Sequence, residues 1–398
     1  MNTLEEIERA RDTLAAIRRD IHAHPELAFQ ETRTSDLVAR FLRDQKIEVH
    51  TGLGKTGVVG VLRAGSSKKT IGLRADMDAL PIVELNRFAH KSLVNGRMHG
   101  CGHDGHTAML LGAAQYLAQH PNFDGTVHFI FQPAEEGGCA GARVMIEEGL
   151  FNKFPCDAIF GIHNMPGMPV NQFGFRPGPF MASSSRWDIV IKGQGGHAAQ
   201  PHLAMDPIVI ASNVVQALQT VISRGSDPFD STVLSVTKIH AGDAYNVIPG
   251  EVALGGTVRT FTRQALDKIE ADMRRIATTL PQAYGGAGEL NFVRNYPPLV
   301  NHEKETAFAL QVAREAFGEA NVNPNCAPMM GAEDFAYYLE KVPGAYLFLG
   351  NGEGDHRLDS YPGMGPCQLH NSNYDFNDAL LPVGATYWAK LVEAFLKP

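Results

Sequence analysis

The chain lacks an apolar stretch of 18 residues, so the sequence predicts no membrane-spanning helix. It has no basic run, and its net charge is −8. That balance argues against nucleic acid or an anionic membrane as partner. The N-terminus is charged from Glu5 onward and has no apolar core, which predicts no signal peptide. Cysteine is scarce: Cys101, Cys139, Cys156, Cys326 and Cys367 are odd in number and widely spaced. A disulfide scaffold is therefore excluded, and a reduced, cytoplasmic location is expected. Charged residues make up 20% and apolar residues 44% of 398 positions, which excludes disorder and indicates two globular domains. What is plentiful is histidine, with 16 residues, and that directs attention to metal ligands.

Apolar spacing predicts helices over 3–22, 34–45, 104–119, 140–149, 205–223, 263–284, 303–317 and 378–396. Apolar runs predict strands at 58–62, 70–77, 126–132 and 157–164. Strands alternating with helices imply an α/β fold with a mostly parallel sheet and helices on both faces. Near residue 178 the character changes. The Pro/Gly/Ser-rich passage at 176–186 reads as a hinge. Strand-like runs at 185–193, 231–242 and 251–261 then alternate with two helices, as in a small α+β layer. The segment 295–301 reads as the return linker. The expected division is 1–178 with 294–398, and an inserted domain at 179–293.

The densest polar cluster is Met98–His106, with Cys101 and His103 two apart on a glycine-rich turn. Glycine permits the tight bend that aims a thiolate and an imidazole at one metal ion. A surface turn with Asp104 capping the next helix is the plain alternative. A second cluster, Glu135-Glu136, ends an apolar strand, where ligands and catalytic groups collect in open α/β sheets. Of two adjacent glutamates one can bind metal and the other serve as base; a solvated acidic turn is the alternative. His163 also ends an apolar run, and His370 precedes the last helix; each alone reads as structural. Asp76 and Asp78 end another strand and could ligate metal or orient ligand histidines. Glu333 and Asp334 form either a helix start or a carboxylate pair near the site. Ser183–Ser185 lacks the Gly-x-Ser-x-Gly elbow of a serine hydrolase.

In order along the chain, HAHPELAFQE, LRADMDALPI, MHGCGHDGHTAMLLGAA, FQPAEEGG, GIHNMP, GQGGHAAQPH, NVIPGEV, GTVRTF, MMGAEDF and LHNSNYDFND resemble one metallopeptidase family. It comprises aminoacylases, hippurate hydrolase, auxin-conjugate amidohydrolases and glutamate carboxypeptidases. The resemblance implies that Cys101, His103, Glu136, His163 and His370 hold two divalent metal ions, zinc or manganese, with cobalt or nickel as alternatives. It implies Glu135 as general base and acid. It also implies that the inserted domain is a lid and dimerisation unit, so that the protein is a homodimer or higher homo-oligomer. His197 would reach the partner's site to polarise the scissile carbonyl, while Asn246 and Arg259 grip the substrate carboxylate. Asp76, Asp78, Asp104 and Glu333 fall behind the ligands. The peptidase branches carry His-x-Asp where this chain has Ala-Asp-Met-Asp, and Asp in place of His103. Cys101 is typical of the amidohydrolase branch. The implied reaction is hydrolysis of small N-acyl amino acids. Dipeptide or carboxypeptidase cleavage, or a catalytically inactive metal-binding relative, are the other readings.

Overall fold

The computed structural model describes residues 3–356 and 367–398. These divide into two units. The first runs to Gly178 and resumes over Val300–Ala327 and Asp334–Pro398; the second comprises Pro179–Leu299 and Pro328–Glu333.

In the first unit, the strand Thr70–Asp76 is buried almost throughout, as is Gly125–Gln132. Strands with no solvent face belong in the middle of a sheet covered on both sides. Their sheet has eight strands, in the order Glu48–Leu53, Gly57–Ala64, Gly125–Gln132, Thr70–Asp76, Ala158–Pro166, Gly344–Gly352, Phe173–Gly174, Val322–Asn323. The middle four run parallel. Gly57–Ala64 and Glu48–Leu53 add antiparallel strands at one edge, and Phe173–Gly174 joins antiparallel at the other side. The sheet is thus mixed, with a parallel centre.

Three helices meet beside this sheet. A Cβ on Gly112, within the helix His103–Gln119, would sit 2.8 Å from Leu14 Cδ1 and 3.1 Å from Ala385 Cβ. Glycine there lets the helices Arg11–Ala23 and Leu380–Phe395 approach. Leu14, Leu110, Leu117, Trp388 and Val392 fill the shared core, each large aliphatic side chain stabilising by about 1.5–3 kcal/mol. The helix expected over 3–22 is two helices, Thr3–Glu8 and Arg11–Ala23. At the break the Ala10 N–H bonds to Ile7 O, three residues back, and closes a turn. The passage expected as a hinge at 176–186 holds the strand Gly178–Met181 and the start of Ser184–Lys192.

The second unit is a four-stranded antiparallel sheet in the order Thr232–His240, Glu251–Thr260, Ser184–Lys192, Ala287–Tyr296. Ser184–Lys192 buries alternate residues, so one face is apolar. The helices Pro207–Ser223 and Arg263–Ala283 cover that face through Trp187, Ile189, Ile191, Val214, Leu218, Ile269 and Met273. Each helix has a side-chain cap: Asp206 accepts from the Ile208 N–H, and Thr262 from the Ala265 N–H.

Candidate metal centre

Five segments of the first unit deliver the polar residues, three of them at carboxyl ends of central strands. Thr70–Asp76 runs out into Asp78, Gly125–Gln132 into Glu135 and Glu136, and Ala158–Pro166 carries His163 near its end. Cys101 and His103 flank Gly102, whose φ of 91° starts the helix His103–Gln119. His370 comes from the loop before the last helix and itself has a φ of 65°.

These residues converge. Cys101 Sγ lies 3.4 Å from His163 Nε2, and His370 Nε2 lies 3.2 Å from Glu136 Oε1. The donor atoms of Cys101, His103 and His163 are all within 4.8 Å of one another. The same holds for Cys101, Glu136 and His370, and for His103, Glu135 and Glu136. Shared members join the three groups into one cluster. It contains all five expected ligands and Glu135.

The shell behind the cluster aims it. His103 Nδ1 bonds Asp78 O at 2.8 Å, and His163 Nδ1 bonds Asn164 O at 2.7 Å. In both rings this leaves Nε2 to act as ligand. The Asp78 carboxylate accepts from the main-chain N–H groups of Glu135 and Glu136, at 3.0 and 2.9 Å. One aspartate therefore orients His103 and also fixes the two-glutamate turn. Glu31 braces the same turn: its Oε1 accepts from the N–H groups of Phe29 and Ala134, and its Oε2 from Thr56. Phe29 and Ala134 have φ of 61° and 56°, unfavourable for residues with a side chain. Burial pushes the Glu31 carboxyl up to about 7.

Asp76 does not face the cluster with a free carboxylate. It bonds His106 Nδ1 at 2.6 Å and Arg74 at 2.6 Å. Burial opposes its charge, but Arg74, His103 and His106 hold it well below the usual carboxylate range. Arg74 also donates to Gln132 and Asp334, and Asp334 accepts from Gln132 and the Ala142 N–H. Asp104 is not a helix cap; Gly102 holds that position, and Asp104 is bonded by His22 at 2.9 Å.

The donor set fits divalent transition metal. His103 Nε2 and Glu136 Oε1 are buried without a hydrogen-bond partner among the described residues, with His370 Nε2 3.2 Å from the latter. Leaving such atoms unsatisfied costs about 1–3 kcal/mol each, and a coordinated cation removes that cost. The Cys101 thiol is pushed up by burial and by Glu136, so it ionises when a metal displaces its proton. One thiolate, three imidazoles and carboxylates suit zinc and its first-row neighbours.

The second unit holds the remaining residues. His197 lies in a two-residue strand paired with Val247–Ile248, and the Ala198 N–H bonds Asn246 O at 3.0 Å. His197 and Asn246 are therefore neighbours, and both are exposed. Arg259 is half-buried near the far end of the strand Glu251–Thr260, roughly 25 Å along it from Glu251, the end that directly follows the Val247–Ile248 strand paired with His197. Asn246 and Arg259 of one chain are thus not brought together. Glu333 ends the second unit's return segment.

Reading residues one at a time did not find His106, Asn164 and Tyr374 as a relay of bonds behind His163, nor Glu31, Arg18 and His22. His22 and Glu31 lie in HAHPELAFQE, so that block was their one signal.

Residues 72–394 match peptidase family M20/M25/M40. Hippurate hydrolase of Campylobacter jejuni is 43% identical, covering all of both chains. Thermostable carboxypeptidase 2 of Saccharolobus solfataricus is 39% identical, over 99% of this chain and 97% of that one. A Bacillus subtilis crystal structure, described as a dinuclear metal binding peptidase from the M20 family, superposes with a TM-score of 0.82. It is 35% identical, over 97% of this chain and 98% of that one.

Proposed function

Since the chain belongs to peptidase family M20/M25/M40, we propose that it hydrolyses the amide bond of small N-acyl amino acids, giving a carboxylic acid and a free amino acid. Cys101, His103, Glu136, His163 and His370 hold two divalent metal ions, zinc or manganese before cobalt or nickel. The bound ions supply Lewis acidity toward the amide oxygen and acidify water. The observation that carries the reading is the convergence of those donors beside Glu135, whose main chain is held by Asp78.

The chemistry of the chain's own groups follows. Glu135 accepts a proton from the attacking water as the new C–O bond forms at the acyl carbon. It returns that proton to the amine nitrogen as the C–N bond breaks. His197 donates to the oxyanion that develops. Arg259 presents a planar fork to the amino-acid carboxylate. His197 and Arg259 of one chain lie too far apart within their unit to serve one small substrate together, with Asn246 on the His197 side. A homodimer through the second unit resolves this, one copy lending His197 and Asn246 to a site where the other supplies Arg259. The described residues contain no helix long and apolar enough to cross a membrane.

A second reading, cleavage between two amino acids, is favoured by the carboxypeptidase relative. Turnover of hippurate, N-acetyl amino acids and dipeptides, each with protein reloaded by a single metal, separates the two. Hydrolysis of N-acyl amino acids ahead of dipeptides is expected; the reverse order would replace the proposal with the second reading.

A further inference from the structure

Arg18 and His22 lie one turn apart on the helix Arg11–Ala23, so their side chains leave the same face. Both are buried, and neither belongs to the ligand set or the proton-transfer group. Buried cations persist where they are paired, and these partners are specific. His22 Nδ1 bonds Asp104 Oδ2 at 2.9 Å, and Arg18 Nη1 lies 3.5 Å from the same oxygen. Arg18 also donates to Asp375 at 2.8 Å and to Asp378 at 2.7 Å. Asp104 directly follows His103, and Asp375 and Asp378 lie in the segment that begins with His370.

Further bonds run the same way. His22 Nε2 bonds Glu84 at 3.2 Å. Glu84 in turn accepts from Asn86, whose amide also donates to Tyr374 O. The two ligand loops meet directly where the His370 N–H bonds Gly100 O at 2.7 Å. The left-handed backbone of His370 persists where its surroundings over-determine it. His22 is a cation at neutral pH: burial opposes its charge, but the bonds to Asp104 and Glu84 push it up to about 10.

We propose that Arg18 and His22 are positioning residues that set the metal affinity of the site, by clamping the Cys101–His103 loop against the His370 loop. This rests on the ligand assignment made above. An alternative role, support of the fold alone, makes a different prediction: any equal loss of stability would then weaken metal binding equally.

The test uses the full chain loaded with zinc or cobalt. His22→Gln and Arg18→Lys are compared with Val392→Ala, a core truncation in the last turn of the helix Leu380–Phe395. Zinc affinity is measured by chelator competition, and the cobalt-loaded proteins are compared by their thiolate-to-metal absorption. His22→Gln and Arg18→Lys are expected to weaken zinc binding about 10- to 100-fold and to shift the cobalt bands. Val392→Ala lowers the melting temperature and leaves both unchanged. Wild-type affinity in His22→Gln and Arg18→Lys, or a loss matched by Val392→Ala at equal destabilisation, overturns the proposal. If Arg18→Lys does not fold, Asp378→Asn decides, because that carboxylate is partly exposed. Cys101→Ser in the same assay separates the two levels. If it leaves affinity intact, the ligand assignment fails; if it alone weakens binding, only the clamp fails.

Discussion

The ligand loops of the first unit and the substrate-facing residues proposed in the second are built on opposite terms. Asp78, Asp104 and His103 are buried and cross-linked, and their partners come from distant parts of the chain. His197 and Asn246 stand exposed on a short hairpin, with His197 Nδ1 accepting from the nearby Ala199 N–H at 3.0 Å. Rigid positioning suits groups that must hold cations at fixed separation. Loose, exposed groups suit a role completed only when a second chain or a substrate arrives. The first unit should therefore respond to substitution in rate and metal content, and the second in substrate discrimination.

The largest expected effect is in the first unit. Glu135→Gln should retain metal by elemental analysis while kcat falls by about 10²–10⁴-fold. Retained turnover would remove Glu135 as the base and break the contrast at its centre.

Arg259→Ala should act differently. Loss of a charge-assisted contact worth about 1.5–3 kcal/mol should raise KM for carboxylate-bearing substrates by about 10- to 100-fold. An uncharged amide analogue should be little affected. Equal damage to both substrates would count against a carboxylate clamp.

A smaller effect, on stability, sharpens the account of the buried network. His22 faces Asp104 and Glu84, with Asp375, Arg18, His90 and His99 nearby. Its folded-state pKa, about 10, lies above the ordinary histidine value of about 6.5. Its stabilisation is thus complete below about pH 6.5 and is lost as pH rises through about 10, by an amount on the order of 4 kcal/mol. Melting temperatures of wild type and His22→Gln across that window should converge as pH rises. A constant gap would mean that His22 carries no charge in the folded chain.

Four of the five proposed ligands sit where a local signal ends, whereas His370 was reached through the family resemblance alone. Glu135-Glu136 and His163 close apolar runs, and Cys101 and His103 straddle a glycine that the turn needs. Their supports were not legible, because pairing across the fold leaves no spacing to read. Glu31 meets Ala134, and Arg18 meets Asp375 and Asp378, across most of the first unit. The strand Glu48–Leu53 was missed because it is an exposed edge without an apolar pattern. Gly344–Gly352 was missed as well, although its run Ala345–Leu349 is of the same apolar kind as those read as strands. The expected mostly parallel sheet is present; antiparallel pairing enters where Gly57–Ala64 meets Gly125–Gln132 and where Phe173–Gly174 meets Gly344–Gly352.

Anomalous diffraction from crystals grown with zinc tests the central claim most directly. The account predicts two peaks within one cage formed by Cys101, His103, Glu136, His163 and His370, with Glu135 bound to neither ion. A single peak, or peaks away from these five side chains, would contradict it.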